Sequence, residues 1–159
     1  MSFLDNLENN LKALESREQG GLEDQRSRDA DRSRAKAAAP WADKLKRDTW
    51  TQSLMQQSTR AGFQRRVKVN LIWIDTTLRL EALDQRLEFR PEPNGIMVVA
   101  LNEGNAVSAG LIDMTEDPQT LIAPWIAIVE EQKKRDDATR RALAEQLAAE
   151  EAALEDAQQ

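Results

Sequence analysis

The sequence predicts an α+β protein: a small antiparallel β-meander of about five strands covered by helices, with an amphipathic helix before it and a long charged helix after it. Three observations carry that prediction. Between Val67 and Ile112 apolar and polar side chains alternate with a period of two, broken at intervals by turn residues. On either side the apolar period lengthens to that of a helix. The length of 159 residues, 40% of them apolar and 31% charged, suits one ordinary domain whose core shares the chain with solvated stretches.

The first element follows from Leu4, Leu7, Leu11 and Leu14, which fall at alternating steps of three and four, the a/d spacing of a coiled-coil seam. Ser2 with Asp5 resembles a capping start for it. Two heptads are few, and an isolated helix of about 14 residues is marginal in water, so this stripe wants a partner in cis or in trans. Asp5, Glu8 and Glu15 against Lys12 suit a protein partner better than anionic lipid. Gly20-Gly21 then interrupts the pattern, and residues 22–39 hold Leu22 as their one large apolar side chain, which predicts a polar linker or a solvated helix. Pro40 suits the start of a further helix, whose stripe of Trp41, Leu45, Trp50, Leu54 and Met55 runs toward Gly62.

The strand pattern begins with Val67, Val69, Leu71 and Trp73, opposite Lys68 and Asn70. Leu78, Leu80 and Ala82 alternate with Arg79 and Glu81, and Leu87 and Phe89 with Arg86, Glu88 and Arg90, although Leu80, Leu83 and Leu87 also fit a helix. Pro91-Glu92-Pro93-Asn94-Gly95 supplies a turn, with Asn-Gly suited to the positive φ of a tight hairpin. Ile96–Leu101 is apolar on both faces, as for a strand covered above and below, and Asn102-Glu103-Gly104-Asn105 turns the chain into Ala106–Ile112. Asp117-Pro118 starts a helix whose Leu121, Trp125 and Val129 face the sheet, with Pro124 kinking or restarting it. Beyond Val129, Glu130/Lys134, Glu131/Arg135, Asp136/Arg140 and Asp137/Arg141 each place an acid four residues before a base, which supports a helix without a core. Leu143, Leu147 and Leu154 add a sparse stripe. The predicted organisation is residues 1–40 as helical arm and polar linker, 41–130 as the α+β core, and 131–159 as a charged, alanine-rich helical tail.

Composition removes much familiar chemistry. With no cysteine there is no disulfide, thiolate nucleophile or Cys-ligated zinc, and with no histidine no imidazole base or ligand. Ser108 in Ala106-Val107-Ser108-Ala109-Gly110 faintly echoes a nucleophile elbow, but it lies in a predicted strand and its only base would be a lysine such as Lys68. Asp113, Glu116 and Asp117 are the tightest acid cluster outside the helices; their spacing is not that of a calcium loop, and Asp117 already serves as a cap. No cofactor is expected, and no catalytic or metal-binding residue is assigned. The amino-terminal residues lack a cationic signal region, and the longest apolar run, Leu121–Val129, is far short of the roughly 20 residues of a bilayer span. The expectation is a cytoplasmic acidic protein without a transmembrane segment.

Net charge is -6, yet residues 41–75 hold an excess of bases. Lys44, Lys46, Arg47, Arg60, Arg65, Arg66 and Lys68, near Trp41 and Trp50, are therefore candidate phosphate contacts, although no nucleic-acid-binding motif accompanies them. Trp73 and Trp125 are expected to meet in the core, and Trp41, flanked by Pro40 and Asp43, to be exposed as an interface residue. The favoured expectation is a non-enzymatic protein–protein interaction or oligomerisation module. Its seam is Leu4, Leu7, Leu11 and Leu14, with Trp41, Leu143, Leu147 and Leu154 as further contacts. Nucleic-acid binding through the Lys44–Lys68 region and a carboxylate or divalent-metal enzyme are the alternatives.

Overall fold

A computed structural model describes residues 3–158. The chain forms α1 (Phe3–Arg47), α2 (Thr49–Gln64), β1 (Asn70–Ile74), β2 (Thr77–Ala82), β3 (Gln85–Glu92), β4 (Gly95–Asn102), β5 (Asn105–Leu111) and α3 (Gln119–Gln158). The strands make one antiparallel sheet in the order β1-β2-β3-β4-β5, the predicted meander. The helical alternative for residues 78–89 gives way because alternate register pairs match core side chain with core side chain, Leu80 with Leu87 and Leu78 with Phe89, while Arg79 pairs with Glu88 and Glu81 with Arg86 on the other face.

Four two-residue loops join the strands, and Asp75, Leu83 and Glu103 each take positive φ in them. The third loop differs in detail from its prediction. Pro93-Asn94 forms it, and Gly95, at φ 146°, already opens β4 opposite Glu92.

The core lies on one face of the sheet. Leu78, Leu80, Leu87, Phe89 and Ile96 pack with Leu45 of α1, Trp50 and Leu54 of α2, and Ile122, Trp125, Ile126 and Val129 of α3. The predicted burial of β4 on both faces is only partly met: the helices supply core residues to one face, and on the other Val99 is buried while Met97 and Leu101 are half-buried.

Helix boundaries depart furthest from the sequence pattern. Gly20-Gly21 and Pro40 lie inside α1, which runs 45 residues without a break. Two glycines cost about 2 kcal/mol relative to alanine, spread over a helix otherwise rich in good formers. The real break is Asp48, whose Oδ1 accepts the Trp50 N–H at 2.9 Å and starts α2. Residues 22–39 are thus the solvated helix rather than the linker, and α2 is not continuous with the segment from Pro40. Residue Ser2, the expected cap, lies outside the described residues.

β1 begins at Asn70, three residues later than predicted, because the C-terminus of α2 uses the intervening backbone. Val67 N–H bonds to Gly62 C=O at 2.9 Å and Arg66 N–H to Phe63 C=O at 3.2 Å, with Arg66 at φ 56°, the pairing of a Schellman cap. Val67 is buried in the core instead of joining the ladder. The approach is close: a Cβ on Gly62 would lie 2.6 Å from Val69 Cγ2 and 2.7 Å from Val67 O. At the other end, Asp117 caps α3 as predicted, its Oδ1 accepting the Gln119 N–H at 3.0 Å. α3 continues through Pro124 and past residue 130 as one helix.

A polar network fastens α3 to the sheet. Buried Gln132 donates from Nε2 to Asp84 Oδ2 at 2.6 Å and accepts at Oε1 from Gln85 Nε2 at 3.0 Å, and Gln85 also donates to Asn102 Oδ1. Of the four predicted i,i+4 pairs, Glu130 instead meets Arg65, the C-cap residue of α2, at 3.3 Å, and Glu131 meets Lys134 at 3.8 Å. Exposed pairs are worth too little to fix their own geometry, so a tertiary partner wins.

Candidate functional site

The candidate surfaces are the two helical arms and the sheet edges. From Phe3 to Ala37 every described side chain of α1 is exposed, and Ala38 is the first to be buried. That places about 50 Å of helix clear of the core. Leu4, Leu7, Leu11 and Leu14 are 70%, 47%, 53% and 55% exposed, so the seam does not fold back onto the sheet. Phe3 stands beside them at 80%. α3 is likewise exposed from Ala138 to Gln158, and Leu143, Leu147 and Leu154 point no large apolar surface at the core.

Trp41 departs from its expected exposure. It lies half-buried against the core on the same α1 face as Ala38 and Leu45, with Lys44 Nζ 5.4 Å from its ring centroid. Spacings of three and four put these residues on one stripe, which the proline beside Trp41 did not disrupt. Trp73 and Trp125 do not share a core: Trp125 is 4% exposed, but Trp73, on edge strand β1, is 37% exposed because no strand lies beyond it. The core's aromatic pair is Trp50 with Phe89, edge to face at 6.0 Å, and Trp50 Nε1–H donates to Glu116 C=O at 2.8 Å.

The basic residues fall into two groups separated by the length of α2, about 24 Å. Lys44, Lys46 and Arg47 close α1. Arg60, Arg65, Arg66 and Lys68 gather at the far end, where Arg65 is taken up by Glu130 and by Ala61 C=O. Trp50 is in the core and cannot stack on a base; the exposed aromatic near this end is Phe63, at 83%. The acid cluster performs turn chemistry: Asp113 Oδ1 accepts from Thr115 N and Oγ1, which hold its carboxyl below the ordinary value, while Glu116 presents its carbonyl to Trp50. Among the described residues no three carboxylates converge as a metal site. Ser108 lies in the middle of β5, as the strand pattern placed it.

Opposite the core, a ladder of charges crosses three strand positions. Glu88, 5% exposed, takes Arg79 Nη2 at 2.9 Å and Arg90 Nη2 at 2.6 Å, and Glu81 takes Arg86 Nε at 3.0 Å. Burial pushes the Glu88 carboxyl up, but hydrogen bonds and charge from Arg90, and then from Arg79, outweigh it and hold the group below its ordinary value.

Sequence reasoning passed over β5. All seven of its residues are exposed, it forms an edge, and it carries neither charge nor proline. The signal was available in the absence of any charged residue from Gly104 to Ile112. Beside it a groove of about 340 Å³ opens between β4, β5 and the start of α3, lined by Ala100, Ser108, Gly110, Leu121, Pro124 and Ile128 among others.

Fold and surface together define an α+β protein in which a five-strand antiparallel meander and the helices packed on it carry two long helical projections. No protein-family model, curated protein or solved structure matches this chain. Among the described residues no helix is long and apolar enough to cross a membrane.

Proposed function

We propose that the protein is a non-enzymatic interaction and assembly module in which the core holds out an N-terminal helical arm for pairing with another helix, from a partner protein or a second copy. The supporting observation is the exposure of Leu4, Leu7, Leu11 and Leu14, spaced as a coiled-coil seam on a helix that the core anchors at its other end. Burying a leucine side chain is worth about 1.5–3 kcal/mol, so four on one stripe supply a real driving force once a second seam is present. A helix whose C-terminal turns are already fixed by Ala38, Trp41 and Leu45 also has less ordering entropy to lose on pairing. Leu143, Leu147 and Leu154 offer the tail a secondary contact.

The test is the mass of the full-length chain by light scattering over a concentration series at low and high salt. Self-pairing through the seam gives a discrete multiple of 18.0 kDa that survives high salt. Leu7→Asp with Leu11→Asp then abolishes that discrete, salt-resistant multiple. A multimer unchanged by that double substitution removes the arm from its assembly.

A further inference from the structure

We infer that the two edges of the sheet are complementary to each other, so that β1 of one copy pairs with β5 of the next and the sheet continues from chain to chain. Natural edge strands are usually blunted by charge, proline or a bulge, because unpaired backbone groups invite another strand. β1 (Asn70-Leu71-Ile72-Trp73-Ile74) and β5 (Asn105–Leu111) have no charged residue and no proline between them. The register of β5 shifts only near Ala100/Leu101, which leaves Ser108–Leu111 as a regular run opposite Met97–Ala100.

The side chains at the two edges differ in size in a matching way. β1 is bulky: Ile72, Trp73 and Ile74 are 37%, 37% and 42% exposed. β5 is built from small residues over its core side, where Ser108 and Gly110 border the groove of about 340 Å³. Leu71 and Trp73 are register partners of Leu80 and Leu78, so they stand on the helix-covered side of the sheet, the same side as that groove. Trp125, in the groove wall, has its indole N–H buried without an acceptor.

Orientation follows from strand count. In an antiparallel meander of five, β1 and β5 run the same way, so joining them with the helices on one side makes a parallel ladder. Leu71 and Trp73 of the incoming strand then lie over the groove. Such a head-to-tail contact leaves a free edge at each end and is open to growth. A second β5 in that place would bring only serine and glycine to the groove and leave it unfilled, which is why the occupant assigned is β1 of another copy. This contact is separate from the leucine seam, and either can fail without the other.

The experiment uses the full chain carrying Leu7→Asp and Leu11→Asp, so that arm pairing does not contribute. In that background Ile72→Lys with Ile74→Lys blocks the β1 edge, and Val107→Lys with Ala109→Lys blocks the β5 edge; the single changes Ile72→Lys and Ala109→Lys serve if a double variant loses its circular dichroism spectrum. By light scattering, the parent with both edges intact gains mass with concentration, each blocked variant is a monomer alone, and the two mixed in equal amounts form a two-chain species through their remaining edges. A β1-blocked variant that dimerises alone shows β5 pairing with itself and overturns the assignment. So does a mixture that stays monomeric, or a parent that is monomeric at every concentration, the outcome expected if β5 serves a peptide from another protein.

Discussion

The two halves of α1 contrast sharply within one unbroken helix. Its last ten residues bury Ala38 and Leu45 and pack Trp41 against the core, whereas every described side chain of the preceding 35 is exposed. The difference is a matter of stripe rather than propensity. Ala38, Trp41, Ala42 and Leu45 repeat at three and four residues and meet the apolar face of the sheet, while residues 22–37 repeat charges and alanines and meet water. One segment is held by burial; the other persists because it is covalently continuous with a helix already nucleated there. Helicity therefore says little about where the stability of this protein resides.

The largest effect that tests this contrast is truncation in the core against removal of the arm. Trp50→Ala, which deletes the indole packed on Phe89 and its bond to Glu116, should cost about 3–5 kcal/mol in urea unfolding. Deleting residues 1–34 should leave the same midpoint within about 0.5 kcal/mol at concentrations where the chain is monomeric. Equal losses from the two changes would mean that the arm is docked. Next in size is Gly62→Ala. Its new methyl would press on Val67 O, a backbone atom, so the C-terminal cap of α2 must shift at a cost of about 1–3 kcal/mol. A neutral result would show that the junction between α2 and β1 is loosely held.

The charge ladder sharpens the comparison from the other face of the sheet. The folded Glu88 carboxyl sits below its ordinary value, so at acid pH the unfolded chain binds the extra proton. Its contribution is complete above the ordinary carboxylate range and disappears as pH falls through the lowered folded value. Thermal midpoints of the wild type should therefore fall across that acid window more steeply than those of Glu88→Gln; parallel curves would mean that the arginines do not hold the carboxylate. The smallest effect is at Arg66, whose φ of 56° at the helix cap is a glycine's conformation. Arg66→Gly should raise stability by about 0.5–1 kcal/mol, and a loss instead would point to a contact made by the arginine side chain.

Much of this architecture is legible in the amino-acid sequence. The strands of residues 77–111 follow from alternation and turn residues, and α3 from the Asp117-Pro118 start. The leucine seam was readable as a pattern, and so was the basic excess around Lys44–Lys68. What could not be read was where those residues stand. Trp41 looked exposed because proline and acid flank it, but its stripe partners Ala38 and Leu45 draw it onto the core. Trp73 looked buried because its strand alternates, but β1 is an edge and a strand pattern does not say what lies beside it. The groove by β5 belongs to residues from β3, β4, β5 and α3 and has no local signature at all.

By itself the sequence determined the kinds of elements, their order, the absence of cysteine and histidine chemistry, and which faces are apolar, since each depends on neighbours within a turn or a pleat. Tertiary structure alone decided that α1 runs through two glycines and a proline, that β1 waits for Asn70, that Gln132 is tied into a buried network, and that the seam leucines remain in solvent. These outcomes depend on which groups compete for a backbone amide or a patch of core across tens of residues, and such competition is settled only when the whole chain is packed.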